Sequence, residues 1–261
     1  MDRSIQYEKA VLHYHVSGSG LKPLLVFHGF GQDKDVFLKL SSGLSEKYTL
    51  YIFDLFFHGK SEWNKGEEPL EKKFWKELLS AFLNQHKLDR FSVLGFSMGG
   101  KFALASLEAF PEKTENIFLL SPDGIKISPW YRLATFSGAT RQLLKSMIVN
   151  PNRFQLIANL AFKLGFIDQG LMRFVESQMN AQDKREQVYY SWVVFRRLKF
   201  DMSLLASLIN SNNINLTIMI GKYDKVIPAN SMDRLLKRVK KHKFEILETG
   251  HNGLISKLDT L

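Results

Sequence analysis

Five short runs of this chain are apolar almost without interruption: residues 23–27, 49–53, 91–94, 117–120 and 216–220. Strands buried on both faces read this way, with no polar side left for solvent. Residues 7–16 alternate instead and predict an opening strand or a hairpin. Stretches of helical period separate the runs. Over 70–86, Leu70, Phe74, Leu78, Ala81 and Phe82 fall near one stripe. Helices are also predicted over 33–44, 99–110 and 229–239, and a last strand over 244–247 precedes a short closing helix. This alternation predicts an α/β fold: a mostly parallel central sheet with helices on both faces.

The rhythm breaks after residue 124. Between 125 and 209 no strand–helix alternation is found, only aromatic-rich helical segments at 130–149, 153–164, 170–179 and 186–198. The expected organisation is therefore a core of residues 1–124 and 210–261, with an all-helical cap, or lid, inserted at 125–209. An insertion between two strand ends is expected to lie over the edge of the sheet where ligands bind. Its aromatic side chains, among them Trp130, Tyr131, Phe136, Phe154, Phe162 and Phe166, are expected both to pack the cap and to form an apolar wall.

Composition narrows the picture. A chain of 261 residues, 45% of them hydrophobic, is long enough to bury one substantial core. It has no cysteine, which excludes disulfides, a thiol nucleophile and thiolate metal sites, and suits a reducing cytoplasm. Residues 1–16 carry no apolar h-region or small-residue cleavage site, and no apolar run has the length of a membrane span, so a cytoplasmic location is expected. The net charge of +10 invites a search for a nucleic-acid or membrane surface. The densest cluster, Lys237, Arg238, Lys240, Lys241 and Lys243, falls at a predicted helix end, where cations complement the helix dipole. No aromatic residues interleave with it, so it reads as a solvated face, and no nucleic-acid partner is expected. His13 and His15 have metal-ligand spacing on one strand face, but no third ligand stands near them in sequence.

The candidate chemistry begins at Gly95-Phe96-Ser97-Met98-Gly99, between a strand-like run and a helical one. This is the pattern of a nucleophile elbow, in which a sharp strand-to-helix turn projects a hydroxyl into a cleft. The turn strains the serine backbone and brings the helix close, so glycine is needed on either side. The helix start also aims free N–H groups at the place where an oxyanion would form. His28-Gly29-Phe30-Gly31, after an early strand, is a glycine-bearing loop of the kind that supplies a second oxyanion donor. An acid and a histidine follow in the order Asp224, His251, each in a loop after a predicted strand.

These motifs, with Gly221-x-x-Asp224-x-x-x-Pro228, Gly250-His251 and the Asp54…His58-Gly59-x-Ser61 loop, resemble the α/β-hydrolase superfamily, specifically its members with a helical cap. Phe57 departs from the resemblance, standing where many members have glycine. The resemblance implies that Ser97 is the nucleophile, His251 its base, Asp224 the residue that fixes the histidine tautomer, and the backbone N–H groups of Phe30 and Met98 the oxyanion hole. Asp123, after the preceding strand, is a rival for the acid. The implied activity is carboxylic ester hydrolysis through an acyl-enzyme, on a small to medium apolar ester, with no metal or organic cofactor. Two alternatives remain. One is a carbon–carbon bond hydrolase or lyase acting on a carboxylated dicarbonyl held by a cap arginine (Arg132, Arg141, Arg153, Arg196 or Arg197). The other is a ligand-binding protein that keeps the triad without using it. Relatives that open haloalkanes or epoxides carry aspartate at the elbow, where this chain has Ser97.

Overall fold

The computed structural model describes residues 1–38, 42–163, 172, 176 and 179–260. Its strands are β1 (Asp2–Tyr7), β2 (Ala10–Ser17), β3 (Lys22–Phe27), β4 (Tyr48–Phe53), β5 (Glu62–Trp63), β6 (Phe91–Phe96), β7 (Thr114–Leu120), β8 (Asn215–Gly221) and β9 (His242–Leu247). They form one sheet in the order β1-β2-β4-β3-β6-β7-β8-β9, with β5 against β2. The β1–β2 hairpin and its pairing with β4 are antiparallel, and every pair from β4 to β9 is parallel.

The helices are α1 (Asp35–Leu38), α2 (Ser42–Lys47), α3 (Lys72–Gln85), α4 (Gly99–Ala109), α5 (Pro129–Phe136), α6 (Gly138–Val149), α7 (Pro151–Lys163), α8 (Gln182–Val194), α9 (Met202–Ser211) and α10 (Asp233–Leu236). Apolar strands demand cover on both faces, and both are covered. On one face Leu24, Val26, Ile52, Leu94 and Phe96 pack with Phe37, Leu254 and Ile255. On the other, Phe27 stacks on Phe53 at 5.2 Å and meets the edge of Trp75 from α3 at 5.7 Å. Each such side chain fully buried contributes about 1.5–3 kcal/mol.

Register sets the site. Phe27 lies beside Phe53 and Gly95, Leu120 beside Phe96 and Met219, and Gly221 beside Leu247. The parallel strands therefore stop along one line. The residues that follow, His28, Asp54, Ser97, Ser121 and the loops carrying Asp224 and His251, emerge from a single sheet edge.

Several elements differ from the sequence reading. The helix expected over 130–149 is two helices: Ser137 between them caps α6, accepting from Thr140 N at 3.2 Å while its own N–H bonds the Thr140 hydroxyl. The helix expected over 229–239 is a 3₁₀ turn, Ala229–Met232, and the one turn of α10, because β9 must begin at His242 to lie beside Leu216. Between α1 and α2, residues 39–41 of the helix expected over 33–44 lie outside the described residues. So do most of the segment 170–179 and Phe166. The short strand β5 had no counterpart in the pattern.

The chain divides into two compact units. The first holds residues 1–66, 70–126 and 197–261; the second holds 67–69 and 127–196. The sequence boundary at 209 gives way to one at 196, because α9 buries Leu205, Ala206 and Ile209 and packs on α4 of the first unit. Within the second unit, the Tyr131 hydroxyl donates to Trp192 O at 3.1 Å, and buried Arg185 donates to Ile148 O and Met179 O at 2.8 and 3.0 Å. Tyr131, Tyr189 and Phe195 are buried, whereas Phe136 and Phe162 are exposed. No helix among the described residues is long and apolar enough to cross a membrane.

Candidate active site

Ser97 occupies the turn between β6 and α4 with φ +50°, in the left-handed region that a side chain rarely adopts. Surrounding bonds hold it there: Ser97 N donates to Leu120 O at 2.9 Å, and its carbonyl accepts from Gly100 N and Asp123 N at 2.9 and 2.8 Å. A Cβ on Gly95 would come within 2.6 Å of Gly99 O, and one on Gly99 would overlap the Phe27 carbonyl. The two glycines are thus a steric requirement of the turn.

His251 bridges the other two groups. Its Nε2 lies 2.9 Å from Ser97 Oγ and its Nδ1 lies 2.6 Å from Asp224 Oδ2. The Phe96 ring sits 5.0 Å from the imidazole and limits how the ring can turn. The Asp224 side chain is fully buried, and its carboxylate is saturated. Oδ1 accepts from Val226 N at 2.8 Å and Ile227 N at 2.9 Å, and Oδ2 accepts from the Ser121 hydroxyl at 2.6 Å. Burial alone would raise this carboxyl. The hydrogen bond and charge of His251, the Ile227 N–H and the Ser121 hydroxyl outweigh it and hold the carboxyl below its ordinary value. Asp123 is engaged elsewhere, 2.9 Å from Lys101 Nζ.

The loop after β3 is braced by buried imidazoles. His28 accepts from Leu55 N at 2.9 Å through Nε2, and its Nδ1 lies 2.7 Å from Gly29 O. His58 accepts from Gly31 N at 3.0 Å through Nε2, and its Nδ1 lies 3.0 Å from Phe56 O. A nitrogen facing an N–H must be unprotonated, so both rings are neutral with the proton on Nδ1. Burial pushes His28 down to about 4, against its bond to Gly29 O. His58 falls to about 3 through burial and the neighbouring His28, opposed by its bond to Phe56 O. Gly29 N donates to Gln32 Oε1 at 3.1 Å. Between these tethered positions, Phe30 N makes no hydrogen bond among the described residues, and neither does Met98 N at the start of α4. Two backbone donors thus stand unused in the two loops that the sequence singled out.

The structure brings Ser97, Asp224 and His251 into one chain of hydrogen bonds and leaves Asp123 out of it. Phe57 adopts φ +68°, so the loop keeps a glycine-like turn despite its side chain. Sequence reasoning missed Ser121 and the bracing role of His58. Ser121 was legible by position, since it follows β7 as Ser97 follows β6. The His58 contact joins residues 27 apart and carried no local signal.

Comparison with known proteins places the fold. One curated relative is the dihydrolipoyllysine-residue acetyltransferase component of the acetoin cleaving system of Cupriavidus necator. It is 27% identical over 52% of this chain and 37% of its own length. The chain spans about two fifths of the length of the curated relatives it matches. Among solved structures, a thermophilic esterase from Thermogutta terrifontis superposes with a TM-score of 0.72 at 17% identity, covering 100% of this chain and 94% of that one. A 2-hydroxy-6-oxo-6-phenylhexa-2,4-dienoate hydrolase from a Rhodococcus strain gives 0.65 at 20% identity, covering 100% and 95%. At these identities the likeness is one of fold. The family model of the alpha/beta hydrolase fold matches residues 22–258, and the chain belongs to that family.

Proposed function

We propose that this chain is a serine hydrolase that cleaves small to medium apolar carboxylic esters through an acyl-enzyme on Ser97. The observation that carries the reading is the position of His251, with one nitrogen on the Ser97 hydroxyl and the other on the Asp224 carboxylate. A serine hydroxyl is a weak nucleophile at neutral pH. As Ser97 Oγ attacks the ester carbonyl, His251 Nε2 takes its proton, and the negative charge moves to the carbonyl oxygen. Phe30 N–H and Met98 N–H stabilise that oxyanion, and losing one such donor costs about 10²–10³ in turnover. His251 then returns the proton to the departing alcohol. A water molecule, deprotonated by the same nitrogen, releases the acid and restores Ser97. Asp224 keeps the histidine proton on Nδ1 and stabilises the imidazolium in each half-reaction. All of these groups come from the chain, so the mechanism needs no cofactor.

We assign selection of the acyl group to the insertion, which the chain enters directly after the β7 exit loop. The arginines that a carbon–carbon hydrolase would need are partly committed. Arg141 donates to Thr135 O, Arg196 to Glu67 O, and Arg197 lies 3.6 Å from Glu71. A fluorophosphonate probe is expected to add one adduct, mapped to Ser97; an adduct elsewhere, or none, refutes the nucleophile. Across p-nitrophenyl esters from acetyl to decanoyl, kcat/KM should rise roughly fourfold per methylene until the pocket fills. A flat profile, together with turnover of a vinylogous dicarbonyl, would transfer the assignment to carbon–carbon cleavage.

A further inference from the structure

Eight of the fourteen large apolar side chains exposed among the described residues lie between residues 133 and 162, a ninth of the sequence. Such crowding is unusual on a solvated surface. On α7, Leu156 is 71% exposed and Leu160 58%, and Ile157 is exposed beside them. The spacing places all three on one helical face, with Arg153 one turn before Leu156 and Lys163 one turn past Leu160. On α5, Leu133 and Phe136 are exposed three residues apart, Phe136 at 78%, and Val149 is exposed at the end of α6.

The charge of the same three helices is one-sided. Residues 127–163 contain Arg132, Arg141, Lys145, Arg153 and Lys163 and no aspartate or glutamate. Glu67 pairs with Lys145, whereas Arg132, Arg153 and Lys163 are exposed and have no aspartate or glutamate within four residues of them in sequence. Exposed leucine and isoleucine flanked by arginine and lysine, without acids, are what a helix lying in a membrane interface presents. The apolar side enters the acyl boundary while the cations meet the headgroups.

We propose that the α5–α7 face docks this protein on an anionic phospholipid bilayer, with α7 in the interface plane. Chemistry selects this occupant. A second copy would set exposed Arg132, Arg153 and Lys163 against their own counterparts, in a protein whose net charge is already +10, so self-association across this face is repelled. Protein interfaces favour aromatic anchors and exclude lysine from their centres, whereas the exposed apolar residues here are chiefly aliphatic and are flanked on α7 by Arg153 and Lys163. An anionic bilayer satisfies both features at once. The proposal does not depend on hydrolysis, because its readout is binding.

The test is flotation of the full-length protein with phosphatidylcholine vesicles, with and without phosphatidylglycerol. The protein is expected to float with the anionic vesicles and to remain in solution with the neutral ones. Added salt should release part of it. Leu156→Ser with Leu160→Ser should lower the vesicle partition coefficient at least ~10-fold. Arg153→Gln with Lys163→Gln should lower it by roughly 5-fold or more, and only on anionic vesicles. Circular dichroism checks that each variant is folded, and the lipid and salt dependence of the unaltered protein tests the proposal without any variant. Absence of flotation overturns it, and so does flotation indifferent to lipid charge or to both pairs of substitutions. A concentration-dependent dimer that the leucine pair abolishes, with no vesicle binding, would make a second copy the occupant and overturn it equally.

Discussion

The loops at the ends of the parallel strands and the helices of the insertion treat polar and apolar groups in opposite ways. At the strand ends, polar groups are buried and saturated. Asp224 accepts four hydrogen bonds, two imidazoles are held neutral, and the Asp54 carboxylate accepts from Lys34 N and Lys60 N. In the insertion, leucines and phenylalanines stand in solvent. A desolvated polar network fixes geometry, because each missing partner leaves a buried orphan that costs about 1–3 kcal/mol. An exposed apolar helix face fixes no geometry and is free to serve contact. One region is built for position and the other for surface, and substitutions should separate them.

The largest effect is expected at the proposed nucleophile. Ser97→Ala should lower esterase turnover by ~10⁴–10⁶ while leaving the melting temperature nearly unchanged. Asp224→Asn should cost about 10⁴, because an amide facing Nδ1 favours the wrong tautomer. Asp123→Asn should show the reverse balance. Turnover should stay within about tenfold, and denaturant unfolding should show a loss of roughly 1–3 kcal/mol, since the buried Lys101 ammonium loses the carboxylate 2.9 Å away. If Asp123→Asn is the more damaging to turnover, the proposed acid moves to the earlier strand.

Acid should act on the strand-end loops first. His28 and His58 are neutral when folded, with values near 4 and 3 against an ordinary value near 6.5. Between those limits the unfolded chain binds the extra protons, so stability rises with pH. The contribution is complete above pH ~6.5 and is lost as pH falls toward 4 for His28 and toward 3 for His58, on the order of 3 and 5 kcal/mol. Denaturant midpoints measured from pH 7.5 down to 4.5 should show this slope. Replacing both rings with Gln should flatten it. An unchanged slope would place the acid-sensitive groups elsewhere.

How much of this was legible in the sequence follows the same division. The parallel core was readable because strands buried on both faces write themselves as unbroken apolar runs, as at Leu24–Leu25–Val26–Phe27. The candidate triad was readable because each member sits in a short motif after a strand. Contacts that join distant loops were not, since neither Gly31 N on His58 nor the Ser121 hydroxyl on Asp224 leaves a local pattern. The insertion was the least legible part. Its helices carry apolar residues on more than one face, so periodicity did not show the break at Ser137. Nor could it tell which aromatics are buried, as Tyr131 and Tyr189 are, and which are exposed, as Phe136 and Phe162 are.

The smallest expected effect bears most directly on the contrast. Leu94 in β6 is fully buried, and Leu94→Ala should cost about 2–5 kcal/mol, the transfer energy of the lost methyls plus the cavity they leave. Leu156 and Leu160 on α7 are mostly exposed, so a polar side chain there removes little packing and opens no cavity. Leu156→Ser and Leu160→Ser should each shift stability by less than ~0.5 kcal/mol, apart from a small penalty for the poorer helix former. Urea unfolding of the three variants measures the difference directly, with the slope of each transition checked for equality so that the midpoints report stability alone. A loss above about 1.5 kcal/mol at either α7 position would mean that the side chain is packed inside the protein. The face would then be part of a core and unavailable to a bilayer. A loss near zero leaves the leucines with no structural duty in the folded monomer, so that whatever they do is done by contact with something else.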